Sequence, residues 1–461
     1  MTTDNSSRSE LNFRLPQVEQ LLQNPALNSY IEQLSRPVVT NLVRQTLQAI
    51  RQSSSFQKSG IGDINVINRI EMACLEIQKQ KQTSVINATG IAIHTNLGRS
   101  PIHPEIWQQV SELNTGYCNL ELTLDDGKRG QRNGLLPELV RNWVGAEDAL
   151  VVNNNAAAVY LTLIALAQGK EVIVSRGEQV QIGGGFRIPD ILKMSGCTLV
   201  EVGTTNITTA QDYLDAITEN TAAILMVHQS NFSIEGFTES PDIHELVKNL
   251  PYHVSLLVDQ GSGLSDESYS DNEHSIRYYL NAGADLVCFS GDKILGGPQA
   301  GIIAGNTNLL KTLAKHPMMR AFRPGRIVLS LLESLLVNKL NKTHAGKGIA
   351  ERLIDDIPNT KAWAEKLVEQ WQPYAKLETL QAQVGGGSLP SERYLSYGLA
   401  LDLPGKAQKH LDRLREMPTP IIGYLNKERL LLNLSTVLEQ DKAIFEAQLS
   451  DFIATFTKTN K

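Results

Sequence analysis

The sequence predicts an α/β protein built on a mostly parallel sheet, with a small helical domain before it and a small α+β domain after it. Three observations carry this expectation. Between about residues 84 and 330, short β-branched apolar runs alternate with helical stretches, and the connections are long enough for βαβ crossovers. Residues 1–83 instead carry apolar side chains at helical spacing, with nine Lys/Arg against seven Asp/Glu. After about residue 340, helical and strand-like segments mix. The expected domains are therefore 1–83, 84–340 and 341–461.

Composition fits that division. A chain of 461 residues has a prior of about three domains. It is 41% hydrophobic and 20% charged, which excludes a disordered or fibrous chain and allows a sizeable core. A net charge of −6 argues against non-specific coating of nucleic acid. The four cysteines (Cys74, Cys118, Cys197 and Cys288) lack CxxC spacing, as expected of a reducing, cytoplasmic compartment without a zinc or disulfide framework. No apolar run reaches the roughly 18 residues of a membrane helix, and the start MTTDNSSRSE has no signal-peptide pattern.

In order along the chain, Val39, Leu42, Val43, Leu47 and Ile50 mark an N-terminal helix, with Pro37 near its start. Ser53-Ser54-Ser55 and Gly60-Ile61-Gly62 are expected to break helices. A packing or dimerisation arm and a binding role suit this segment equally well. The expected strands are Ala149–Val152, Glu171–Val174, Leu199–Val202, Ala223–Val227, Ser255–Val258 and Leu286–Phe289. In the tail, 360–371 and 440–456 read as helices, and 394–403, 421–424 and 429–434 as strands.

Ligands of a parallel sheet sit at the carboxyl ends of its strands. Those ends are polar: Asn153-Asn154-Asn155, Ser175-Arg176, His228-Gln229-Ser230-Asn231, Asp259, and Ser290-Gly291-Asp292-Lys293. A lysine desolvated at a strand end becomes nucleophilic and can form a Schiff base. An aspartate one strand earlier can hold a pyridine nitrogen protonated, as pyridoxal phosphate requires. Alone, Lys293 reads as a loop lysine and Asp259 as a helix cap; together, in this order, they favour the cofactor. The polar turn 153–158, with Asn155, Ala156 and Ala157 as candidates, leads into an apolar helix expected over 157–166, whose start suits the phosphate, although an Asn-rich turn is also a common helix cap.

Gly183-Gly184-Gly185 and Gly385-Gly386-Gly387 read as turns or close-packing sites. His228 suits ring stacking or acid–base chemistry, or is a half-buried structural histidine; Asp292 is an acid–base candidate or a local cap. Loop arginines (99, 129, 132, 176, 187, 320, 323 and 326) suggest an anionic substrate. If the segment is helical, Arg320 and Arg323 share one face.

The stretches 86–90, 94–99, 153–158, 175–178, 186–190 and 203–206, with Ser290–Lys293 and Gly296–Gly301, closely resemble the bacterial L-seryl-tRNA(Sec) selenium transferases, over almost the whole chain. The resemblance implies a fold-type I pyridoxal 5'-phosphate enzyme. It would convert seryl-tRNA(Sec) to selenocysteinyl-tRNA(Sec) with selenophosphate, through an aminoacrylyl-tRNA intermediate. Lys293 resembles the Schiff-base lysine and Asp259 the pyridine-nitrogen partner. Arg99, Arg320 and Arg323 resemble the arginines that hold the selenophosphate, and Asp292 a carboxylate that assists. Thr204 and Thr205 resemble subunit-interface residues. A decamer built from dimers, with an N-terminal domain gripping the tRNA, is implied as well. The chain departs from the pattern at Ile207 and near Ser435, where the family usually has arginine, and Pro324-Gly325 follows Arg323. Two other readings compete: a pyridoxal phosphate lyase eliminating from a small amino acid, and a non-catalytic tRNA-binding scaffold.

Overall fold

The computed structural model describes residues 14–61, 64–182, 185–229, 232–265 and 273–457. Gly62, Gly183, Gly184, Ser230, Asn231 and the first ten residues, named above, lie outside these. The chain forms two compact units, 1–84 and 85–461.

The first unit is helical. Its longest helix, Arg36–Gln52, buries Val39, Val43, Leu47 and Ile50 as the spacing predicts, while Leu42 is half-buried. These residues pack with Leu21, Leu22, Leu27, Ile70 and Cys74 of the neighbouring segments. The serine run breaks the helix as expected, at Ser53, whose backbone is extended. The Ser53 hydroxyl accepts from the Phe56 N–H at 3.3 Å and starts the next helix, Ser54–Ser59. Gly60, at φ 66°, ends that helix.

The second unit is organised by seven strands: β1 (Asp148–Val152), β2 (Glu171–Ser175), β3 (Thr198–Val202), β4 (Thr221–Val227), β5 (Ser255–Gly261), β6 (Leu286–Ser290) and β7 (Gly301–Gly305). Their order is β1-β7-β6-β5-β4-β2-β3. Five neighbours run parallel, and β7 runs antiparallel to both β1 and β6. Strand side chains alternate between faces. Val151, Ile173, Ile224, Val258, Val287 and Ile302 therefore pack into one core with the helices Leu136–Val144 and Arg326–Leu340. Leu150, Val152, Val172, Val174, Leu257 and Ile303 face a second core with Asn155–Leu166 and Thr307–Lys315. Each such buried aliphatic side chain contributes about 1.5–3 kcal/mol.

Six of the seven strands were expected. β7 was not, because its sequence, GIIAG, is short and begins and ends in glycine. Gly301 is required there: a Cβ would lie 2.2 Å from the Asn154 carbonyl oxygen. Close approach to the turn after β1 thus removes the side chain that would have marked a strand.

The C-terminal part adds an antiparallel sheet of β8 (Ala375–Ala382), β9 (Tyr394–Leu401), β10 (Tyr424–Asn426) and β11 (Arg429–Asn433), in the order β8-β9-β11-β10. The helices Ile357–Trp371 and Lys442–Thr457 supply Leu367, Trp371, Phe445 and Leu449 to its core. The expected strand 421–424 is split. Ile421–Ile422 pairs in parallel with Ile86–Asn87, and Tyr424 begins β10. β8 was missed because its sequence, AKLETLQA, is mostly exposed and polar, with only its two terminal alanines buried. Gly385, Gly386 and Gly387 all have positive φ, and a Cβ at Gly385 would strike Ile91, so this is a close-packed turn. Among the described residues, no helix is long and apolar enough to cross a membrane.

Candidate active site at the strand ends

The parallel strands deliver their polar termini to one edge. Asp259 stands on β5, in register with Val227 of β4 on one side and Cys288 of β6 on the other. His228 follows β4, and its N–H donates to the Asp259 carbonyl at 3.0 Å. Lys293 follows β6 through the turn Gly291-Asp292. That turn is held by Gly291 N–H on Ala300 and Gly296 N–H on Lys293, at 2.9 and 3.0 Å. Ile294 N–H donates to Ser262 at 3.0 Å and ties the lysine loop to the segment after β5.

Lys293 and Asp259 are buried, at 7% and 4% exposure. Burial pulls the Lys293 ammonium down, and Asp259, Glu273 and Asp292 oppose this while Arg99 adds to it. Burial pushes the Asp259 carboxyl up, against a hydrogen bond from Asn155 and the charge of Lys293. Asn155 Nδ2 donates to Asp259 Oδ1 at 2.7 Å. This asparagine, expected at the phosphate turn, therefore also orients the aspartate.

The helix Asn155–Leu166 starts beside them. Asn154 caps it by accepting from the Ala157 N–H at 2.9 Å, so Ala157 has no free amide for an anion. The amides of Asn155 and Ala156 precede that bond and are the ones a phosphate can use. Asn153 N–H and Nδ2 donate to Phe322 and Ala321 at 2.9 and 3.1 Å, which fastens the arginine loop to this turn.

The arginines separate into distinct settings. Arg99 Nη1 pairs with buried Asp292 at 2.8 Å and keeps 39% of its side chain exposed. Arg323 stands 3.5 Å from Glu121, which also pairs with Arg129 and Arg132. Arg320 is exposed, with no ion pair among the described residues. The helix Met319–Phe322 ends before Arg323, whose ψ is 123°, so the two arginines do not share a helical face as expected. Pro324 ends the helix here, because the residue before a proline is driven out of the α region.

His228 is largely buried; burial, Lys293 and His274 pull its pKa down to about 4. It is a neutral ring at neutral pH, unsuited to act as a general acid. Two carboxyls near it were not among the expected site residues, although Glu178 lies in the stretch 175–178 that carries the family resemblance. Glu178 accepts from Val227 N–H at 3.0 Å and from Tyr213 OH at 3.3 Å, and Glu273 lines the same cavity of about 550 Å³. Burial pushes each of them up to about 7.

The Glu178 shift makes a stability prediction. Its folded pKa lies above its unfolded one, so its contribution is fully present below about pH 4.5 and is lost as pH rises to about 7. Glu178→Gln keeps the acceptor for Val227 and Tyr213 but cannot ionise. Melts from pH 4 to 9 should show the wild type losing up to about 3 kcal/mol relative to the variant across that window. A constant difference would sink the assignment.

These residues fit a pyridoxal phosphate. Asn155 Oδ1 and His228 Nδ1 are buried polar atoms with no hydrogen-bond partner among the described residues. Gly301 keeps the floor of the turn bare, and the lysine, aspartate and free amides supply the donor set the cofactor needs. A parallel sheet with a buried lysine and aspartate at neighbouring strand ends, facing a helix start, defines the class: a fold-type I, pyridoxal phosphate-dependent enzyme. Comparison gives the same fold. D-glucosaminate-6-phosphate ammonia-lyase is similar at a TM-score of 0.58 and 21% identity, over 83% of this chain and 99% of that one.

The particular family follows from the sequence comparisons. Residues 85–438 match the family described as L-seryl-tRNA selenium transferase, and residues 14–51 match selenocysteine synthase N terminal. The L-seryl-tRNA(Sec) selenium transferase of Alkaliphilus oremlandii is 38% identical over 94% of this chain and 97% of its own length. That of Geotalea uraniireducens is 40% identical over 93% and 96%. The chain belongs to the L-seryl-tRNA selenium transferase family.

Proposed function

We propose that this protein converts L-seryl-tRNA(Sec) to L-selenocysteinyl-tRNA(Sec), with selenophosphate as donor and pyridoxal phosphate held by Lys293. The observation that supports it most is the buried Lys293–Asp259 pair with the Arg99–Asp292 ion pair beside it, in a chain of this family. When bound, the cofactor supplies an electron sink for the carbon that loses its proton. Asp259 keeps the ring nitrogen protonated, and Asn155 keeps Asp259 in place. With its amine free, Lys293 would be the base at that carbon, because burial favours its neutral form. Over the reaction the serine β-hydroxyl would leave with a proton as water, water would cleave the donor's selenium–phosphorus bond to release phosphate, and the selenium so freed would bond to the β-carbon while the α-carbon regains a proton.

Arg99 faces this position with part of its guanidinium exposed, and Arg320 and Arg323 stand on the loop fastened to Asn153. We assign the three to the donor's phosphate. His228, with Asn155, Ala156 and Ala157 at the helix start, lines the cofactor; Ala157 does so through its backbone approach, not its amide. Asp292 assists through its pair with Arg99. Residues 1–83 bind the tRNA, residues 84–340 hold the cofactor and 341–461 form the small domain. The assembly is a cytoplasmic homodecamer of dimers. The departures from the family pattern lie outside the Lys293–Asp259 pair. Ile207 bridges Glu239, and the Ser435 hydroxyl donates to Asn433 at 2.7 Å.

The test is selenocysteinyl-tRNA formation from purified protein, seryl-tRNA(Sec) and selenophosphate. Product is expected. Arg99→Ala should raise KM for selenophosphate about tenfold, the effect of losing one charged hydrogen bond. No product despite a loaded cofactor would overturn the reading, and an unchanged KM would remove Arg99 from the donor site.

A further inference from the structure

Glu273 lies just before the helix Ile276–Ala282 and is 4% exposed. Its Oε1 accepts from Gln260 Nε2 at 2.7 Å and from the Ser262 hydroxyl. Among the described residues its Oε2 makes no close hydrogen bond and stands 3.8 Å from His228 Nε2, with the Leu389 backbone N–H also directed at the carboxyl. One carboxyl therefore reaches the segments that leave both β4 and β5. The first carries His228; the second follows directly on Asp259.

We propose that Glu273 is a positioning residue for the cofactor: Oε1 fixes the turn after Asp259, and Oε2 sets the orientation and tautomer of His228. A carboxylate near Nε2 favours the proton on that nitrogen, which leaves the partnerless Nδ1 as a bare acceptor. This rests on the assignment of Lys293 and Asp259 above. Burial pushes the Glu273 carboxyl up to about 7, against hydrogen bonds from Ser262 and the Leu389 backbone N–H and the charge of Lys293. As a carboxylate, it favours the protonated form of Lys293. Among the described residues, other charged or titratable groups around the two include Asp259, Asp292, Arg99, Glu178, His274, Tyr278, Tyr279, Glu392 and Tyr394.

The experiment is a pH titration of the visible band of holoenzyme, with pyridoxal phosphate affinity measured on the same samples. Glu273→Gln keeps the Oε1 acceptor. It should move the midpoint about one pH unit lower, because a charge that favours the protonated lysine is gone. It should also weaken cofactor binding about tenfold. In a His228→Gln background, Glu273→Gln should weaken binding no further, since the two act as one unit. Glu273→Asp, which keeps the charge but withdraws it, should shift the midpoint less and in the same direction, and serves if the glutamine variant does not fold. An unshifted midpoint with unchanged affinity, or fully additive losses, would overturn the proposal. Lys293→Ala on the same spectra tests the parent assignment separately. If it loses the band while Glu273→Gln matches wild type, only the positioning role fails.

Discussion

Lys293→Ala should yield a protein that no longer binds pyridoxal phosphate covalently. Borohydride should fix cofactor to the wild-type chain and leave the variant unlabelled. Selenium transfer should fall by at least about a thousandfold, since one residue supplies both the covalent attachment and the base. The size of the effect follows from the surroundings. Lys293 is 7% exposed, and the charged groups acting on it are Asp259, Glu273, Asp292 and Arg99, none of which can form the linkage in its place. Lys293→Arg is the control. It keeps a cation among those carboxylates and so preserves the local electrostatics, yet cannot form the linkage at neutral pH. Loss of labelling in both variants with near-native melting assigns the chemistry to the amine. A borohydride-stable adduct surviving in Lys293→Ala would move the attachment point elsewhere.

The site was legible where its chemistry coincides with strand ends. Lys293 and Asp259 each follow or close a β-branched apolar run, and hydrophobic periodicity alone finds such runs. What periodicity cannot find is a residue placed by the tertiary fold. Glu273 precedes a short helix in a polar stretch, and only the packing of that helix brings it to His228. Glu178 lay within a stretch noted for its resemblance, but its contact with Val227 crosses from β2 to β4. Asn155 was expected for its backbone, while its side chain performs a second task on Asp259. The fold failed to show in the sequence at β7 and β8 for two different reasons. One has its side chains removed by close backbone approach, and the other lies on an exposed face where burial leaves no mark. The helical pairing of Arg320 and Arg323 failed differently, on a local rule: the Pro324 that follows ends the helix.

Asp259→Asn separates the electrostatic task of this residue from its place in the fold. The substitution is nearly isosteric and keeps an oxygen for Asn155 Nδ2, so the strand and the helix start should hold. In the protein without cofactor, the wild-type carboxyl is buried and pushed up, so its contribution to stability is lost as pH rises through its folded pKa. The variant has no such loss. At pH 8 it should melt no lower than wild type when both are free of cofactor. Catalysis should behave in the opposite way. A neutral amide cannot keep the ring nitrogen protonated, and the carbanion then loses its sink. The expected fall in kcat is about a hundredfold to ten-thousandfold, with the cofactor still fixed to Lys293 by borohydride. This combination of unimpaired stability, retained linkage and lost turnover is one that a capping aspartate cannot produce. Had Asp259 served as a cap, its replacement would lower the melting temperature and leave kcat within a few-fold of wild type, so measuring the two on one preparation decides the matter.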